Sequence, residues 1–157
     1  MKNTSVYPNL KVSHSSLVLL FISVGIFLFS LFFGPLYVVG DQIRYRGAYD
    51  IVYGLNLIEA NLAYSSHLDA EIVHFLVVWA ASNLGFEKDF TMAVFNSLLA
   101  YLIMRLCLQW RVSIYVAMAI VFTNFYLMVL YFAAERLKFW FIFLMLSLLY
   151  SSNLKTS

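Results

Sequence analysis

The chain has 157 residues, of which 63% are hydrophobic and 11% charged, with a formal net charge of +2. A soluble domain carries roughly 45–50% apolar and about 25% charged residues, so this composition excludes an ordinary soluble domain, a disordered chain and a disulfide-stapled module. It predicts an all-α, polytopic helical membrane protein, and a charge of +2 is too small to suggest a nucleic-acid partner.

Residues 1–16 are polar, with Lys2, Lys11 and His14. The first apolar run, 17–39, is long enough to span a bilayer, and Gly34-Pro35 should loosen its last turn. A cleaved signal peptide is the rival reading, but signal cores run only ~7–15 residues.

Residues 40–89 form the one extended polar region. Ile51, Leu55, Ile58 and Leu62 recur at helical steps, which predicts an amphipathic helix in the membrane interface with Glu59 pointing away. Tyr37, Tyr45, Tyr49, Tyr53 and Tyr64 suit that depth, since each has an apolar ring and a wet tip. A second apolar piece, 70–85, is short for a span and reads as an interfacial or re-entrant helix with Gly85 as its C-cap. Three further spans are predicted at 90–108, 112–134 and 137–154, making about four in one membrane domain. Cys107 lies in an apolar run and has no partner cysteine.

Orientation is not settled by Lys and Arg, which divide evenly between the two sides when the N-terminus is placed inside. The acids divide unevenly. Asp41, Asp50, Glu59, Asp69, Glu71, Glu87, Asp89 and Glu135 all fall outside, which favours four spans with both termini cytoplasmic.

Chemistry should therefore sit on that acidic outer face. Carboxylates can act as general bases toward hydroxyls, and arginines can neutralise phosphate. Asp41 follows Gly40 directly at the end of the first span. Glu135-Arg136 interrupts an otherwise continuous apolar stretch, and ionisable residues at a membrane boundary often mark function. A simple polar hairpin turn is the alternative there, and Arg46 with Asp50 has the spacing of an i,i+4 pair. His67, Asp69, Glu71 and His74 lie close in sequence, but carboxylate-bridged metal bundles need two Glu-x-x-His units and only Glu71-x-x-His74 occurs. No metal or cofactor is expected. Phosphate loops, nucleophile elbows and paired-cysteine motifs are lacking.

The order of features resembles a known family. Gly40-Asp41 is followed by Arg44-Tyr45-Arg46 and Tyr49, then Glu71-Ile-Val-His74 through Trp79, Asn83-Leu-Gly85, a span ending in Arg105 and Arg111, and Tyr131-Phe-Ala-Ala-Glu135-Arg136. This resembles the amino-terminal half of bacterial O-antigen and exopolysaccharide polymerases of the EpsG/Wzy kind, which look like GT-C membrane glycosyltransferases. The resemblance implies polymerisation of undecaprenyl-pyrophosphate-linked glycan at the outer face of the bacterial inner membrane, with other polysaccharide-assembly membrane proteins as partners. It implies Asp41 as base, with Glu71 as a second catalytic carboxylate. Arg136 would bind donor phosphate, and Arg44, Tyr45, Arg46, Tyr49, His74 and Glu135 would support substrate binding. Such enzymes are about twice this long, so the resemblance also implies a truncated or partial enzyme. A non-catalytic small membrane protein or subunit is the main alternative, and a small transporter a weaker one.

Overall fold

A computed structural model describes residues 9–68 and 71–154, with side chains over 16–68 and 71–151. Among the described residues there are eight α-helices and no strand. In chain order they are α1 (Asn9–Phe33), α2 (Asp41–Val52), α3 (Leu57–His67), α4 (Ile72–Asn83), α5 (Lys88–Gln109), α6 (Ile114–Thr123), α7 (Phe125–Phe132) and α8 (Glu135–Leu154).

Two groups emerge. The bundle comprises α1, α5, α6, α7 and α8, around a core that includes Ile26, Leu99, Met104, Val121 and Leu130. Its most extensive pairing is α1 against α5, which run antiparallel. Asn96 Nδ2 donates to Ser30 Oγ at 3.0 Å, and Ser97 Oγ donates to the Ser23 carbonyl at 2.8 Å. Phe27 and Phe90 meet edge to face. The cap comprises α2, α3 and α4 around a smaller core of Tyr45, Ala48, Tyr49, Val52, Ala60, Tyr64 and Phe75.

The helix ends follow local sequence. As the Gly34-Pro35 pair predicts, α1 stops at Phe33 and passes into a 3-10 turn, Gly34–Leu36. Asn56 opens α3, its side-chain oxygen accepting from the amides of Ile58 and Glu59. The C-cap of α4 is Leu84 rather than Gly85, which comes next at φ 78°, and the amides of Phe86 and Gly85 return to the carbonyls of Ala81 and Ser82. That double closure needs a left-handed residue, which glycine supplies without steric cost.

Several expectations hold only in part. The stretch Ser16–Leu36 and helix α5 are long and apolar enough to cross a membrane, and α6 with α7 makes a third such unit if the bent pair counts as one span. Among the described residues two to three units therefore meet that test, where about four spans are expected, and α8 is not one of them. The predicted run 112–134 is broken, with a 54° bend between α6 and α7. The cause is Asn124, which takes an extended backbone and caps α7 by accepting from the Leu127 amide at 3.2 Å.

The amphipathic helix expected across Ile51 to Leu62 is also interrupted, at Tyr53-Gly54. Gly54 adopts φ 74°, and Asn56 starts a new helix. Ile51, Ile58 and Leu62 are exposed, and the buried faces are instead Tyr45, Ala48, Tyr49 and Val52 on α2 and Ala60 and Tyr64 on α3. Three of the five tyrosines assigned to an interface are therefore cap core, while Tyr37 and Tyr53 stay exposed.

Candidate functional site

The first residue of α2 and the first turn of α8 meet at one end of the bundle. Asp41 opens α2 after Gly40, whose φ of 64° makes the sharp entry. Asp41 and Tyr45 are one helical turn apart and share a face of α2. Arg136 and Trp140 are likewise one turn apart on α8. With Glu71, which precedes α4, these side chains line a cleft of about 390 Å³ floored by Ala133, Ala134 and Leu137.

Within the cleft Glu71 is the hub. Its Oε1 accepts from Trp140 Nε1 at 3.1 Å, and its Oε2 lies 3.6 Å from Arg136 Nε. Glu71 stands at the N-cap position of α4 but makes no capping bond, because its carboxylate is turned to α8. Arg136 also bonds the Tyr45 hydroxyl, whose pKa is raised by burial despite that neighbouring guanidinium. Asp41 lies at a helix N-terminus, where the exposed amides favour a carboxylate.

Behind this cleft runs a buried polar chain. Tyr64 Oη is 2.5 Å from His74 Nδ1, and His74 Nε2 is 3.5 Å from Glu135 Oε2. Lys88 Nζ donates to Glu135 Oε1 at 2.5 Å and to Gln42 Oε1 at 2.6 Å, and Gln42 Nε2 donates to the Phe132 carbonyl at 2.6 Å. Lys138, also fully buried, donates to the Tyr131 carbonyl at 3.3 Å. Five helices (α2, α3, α4, α5 and α8) each contribute a side chain to this chain or its immediate neighbours. The Glu135 carboxylate is thus met on one oxygen by the His74 ring and on the other by the Lys88 ammonium. Burial raises the Tyr64 hydroxyl, and the nearby Glu71 adds to the effect.

The expected site residues therefore part company. Asp41, Tyr45, Glu71 and Arg136 come together in the cleft. His74 and Glu135 do not join them, being buried at 0% and 2% exposure in the polar chain. Arg44 turns to the cap surface and donates to the His67 carbonyl at 2.8 Å. Arg46 pairs with Asp89 through two 2.9 Å contacts, and Tyr49 donates to Thr91 Oγ1 at 2.8 Å, so both turn to α5 rather than to the cleft. Arg46 is thus committed to Asp89 rather than to Asp50. Of the four residues weighed as metal ligands, Asp69 lies outside the described residues. His67 bonds the Arg44 carbonyl, His74 bonds Tyr64, and Glu71 faces Arg136, so these three do not converge. Among the described residues no group of three or more His, Cys, Asp or Glu could hold a metal ion.

Trp140, Lys88, Gln42 and Lys138 were not anticipated. Trp140 could have been found from its i+4 spacing to Arg136. Lys88 had no such signal, because its partner Glu135 is far away in sequence. Comparison with protein-family models, curated proteins and solved structures finds no match to this chain.

Proposed function

We propose that this chain takes part in polymerising undecaprenyl-pyrophosphate-linked repeat units of O-antigen or exopolysaccharide at the outer face of the bacterial inner membrane. In this reading α1, α5, the bent α6–α7 pair and α8 make four passes. Both termini are cytoplasmic and the cap is outside. The observation that supports it is the meeting of Asp41 and Arg136, distant in sequence, in one cleft with Tyr45, Glu71 and Trp140.

The chemistry follows from the groups. The Asp41 carboxylate accepts the proton of an attacking sugar hydroxyl. The hydroxyl oxygen bonds the anomeric carbon, and the bond from that carbon to the lipid pyrophosphate breaks. Arg136 exchanges its contact with Glu71 for the departing phosphate, for which a guanidinium fork is well matched. The Trp140 ring offers a face beside the reacting sugar. Glu71, expected as a catalytic carboxylate, serves here to hold Arg136 until substrate arrives.

A strain whose polymerisation depends on this gene provides the test. Asp41→Asn and Arg136→Ala should each collapse the glycan ladder to single repeat units with membrane insertion unchanged. Normal ladders from both variants overturn the reading. A reporter fused at residue 88 should give an outside signal.

A non-catalytic membrane subunit is the second reading. It is favoured by one observation: Arg136, Glu71 and Trp140 already satisfy one another. It predicts ladders indifferent to Asp41→Asn.

A further inference from the structure

Four helices meet around a small cavity at the join between bundle and cap. It has a volume of about 10 Å³, and its polar walls include Ser30 of α1, Lys88 and Asn96 of α5, Tyr131 of α7 and Glu135 of α8, with Ala93 of α5 beside them. We propose that this cavity is a binding site for one water molecule, which bonds Asn96 and Lys88 and links the buried ion pair of the join to the interior of the bundle. The site does not depend on the transfer chemistry proposed above.

Asn96 carries the argument. It is 1% exposed. Its Nδ2 donates to Ser30 Oγ and to the Tyr131 carbonyl, both at 3.0 Å. A carbonyl only accepts, so turning the amide end for end would set two oxygens against each other. Oδ1 is thereby fixed as the other end of the amide, and it is buried without a hydrogen-bond partner. Inside a span such an acceptor is costly, because lipid offers it no donor.

The facing wall supplies what a water needs. Lys88 Nζ carries three N–H groups, of which two go to Gln42 Oε1 and Glu135 Oε1. A water in the cavity takes the third, donates one hydrogen to Asn96 Oδ1, and keeps the other for the Glu135 carboxylate. Three bonds are the usual number for a buried water, and one water needs roughly 10–15 Å³. The cavity stands at the lower end of that range, so it admits one water and nothing larger. The groups present also disfavour an ion. An anion has no hydrogen to give Asn96 Oδ1. A metal cation would face the Lys88 ammonium, and would find Ser30 Oγ and the Tyr131 carbonyl already bonded.

With the water in place, the polar chain runs unbroken from Tyr64 of α3 through His74, Glu135 and Lys88 to Asn96 and Ser30 of α1. Glu135 is next to Arg136, so the site backs the turn of α8 that carries the guanidinium of the cleft.

The test is a crystal structure of the full chain grown in a lipid mesophase, at a resolution that shows ordered waters elsewhere. Thermal unfolding of Ala93 variants in detergent accompanies it. One peak should lie in the cavity within hydrogen-bond distance of Asn96 Oδ1 and Lys88 Nζ. Ala93 and Asn96 are three residues apart on one face of α5. Ala93→Val fills the space with methyl groups and should lower the thermal midpoint by at least about 3 °C. Ala93→Ser adds a hydroxyl that can donate to Asn96 Oδ1 in place of the water, and should lose less than half as much. If Ala93→Val does not fold, that loss agrees in direction and the wild-type density decides. The proposal is overturned if the cavity shows no peak, if Asn96 Oδ1 is bonded by protein instead, or if the Ser and Val variants lose equally. A midpoint that rises with sodium and not with potassium would overturn it too, assigning the cavity to a cation.

Discussion

In the bundle, the residues that face outward are as apolar as those that face inward: Phe21, Phe32 and Tyr115 outside, Ile26, Leu99 and Val121 inside. In the cap, the interior itself is partly polar. Tyr45, Tyr49 and Tyr64 are buried there, each with its hydroxyl bonded, and Asp41, Arg44, Asp50 and Glu59 lie outside. The contrast lies in how each region is held, since the cap too exposes apolar side chains, Ile58, Leu62 and Ile72 among them. The bundle pairs its helices by close fit and a few polar bonds such as Asn96 to Ser30, the pattern expected of helices in lipid. The cap gains from burying its aromatic rings. Lys88, Glu135 and Lys138 lie where the two regions join, and there each charge is kept by its neighbours rather than by solvent.

The sharpest way to break this division is to remove the charge at the join. Glu135→Leu leaves the Lys88 and Lys138 ammoniums buried without their counter-ion. Breaking a buried pair by removing one partner costs about 3–5 kcal/mol, so the thermal midpoint in detergent should fall by many degrees. Adding Lys88→Met should recover part of the loss, because one uncompensated charge goes with it. A single variant as stable as wild type would show that the two regions do not depend on this join.

Next in size is the bend in the bundle. Asn124→Ala removes the side-chain oxygen that caps α7, at a cost of about 1 kcal/mol. It also allows α6 and α7 to continue as one helix. Spin labels placed on Tyr115 and Tyr126, both exposed, should move apart as the 54° bend opens. An unchanged distance would mean that packing against α5 and α8, not Asn124, sets the bend.

How far the fold could be read from sequence differs between the regions for the same physical reason. The apolar runs of α1 and α5 were plain, since a long hydrophobic stretch has few other homes. The break at Asn124 was hidden, because one polar residue inside a hydrophobic run leaves mean hydropathy almost unchanged while its side chain ends a helix locally. In the cap, periodicity misled. Ile51, Ile58 and Leu62 make an apolar face, yet Gly54 and Asn56 interrupt the helix and the small residues Ala48 and Ala60 face inward. For the site, Asp41 and Arg136 stood out because each lies beside a long apolar run. The burial of Glu135 and His74 was not legible, since it depends on Lys88 approaching from another helix. Adjacent residues on α8 point in different directions, so Glu135 and Arg136 could not both face the cleft.

The smallest effect lies at the far end of the bundle, away from the cap. Arg111 follows α5 with φ 61°, the one non-glycine residue at positive φ among those described. The amides of Val112 and Arg111 return to the carbonyls of Cys107 and Leu108, the same closure that Gly85 makes after α4. For a residue with a Cβ this conformation costs roughly 1–2 kcal/mol. Glycine removes that cost but gives back roughly 0.5–1 kcal/mol through greater freedom in the unfolded chain. Arg111→Gly should therefore stabilise the protein by about 0.5 kcal/mol, a small rise in thermal midpoint, while Arg111→Ala, which keeps the Cβ, should give none. Equal rises from both variants would assign the gain to the lost charge rather than to the backbone. The cap already has glycine at its equivalent turn, so Gly85→Ala should move the midpoint the other way.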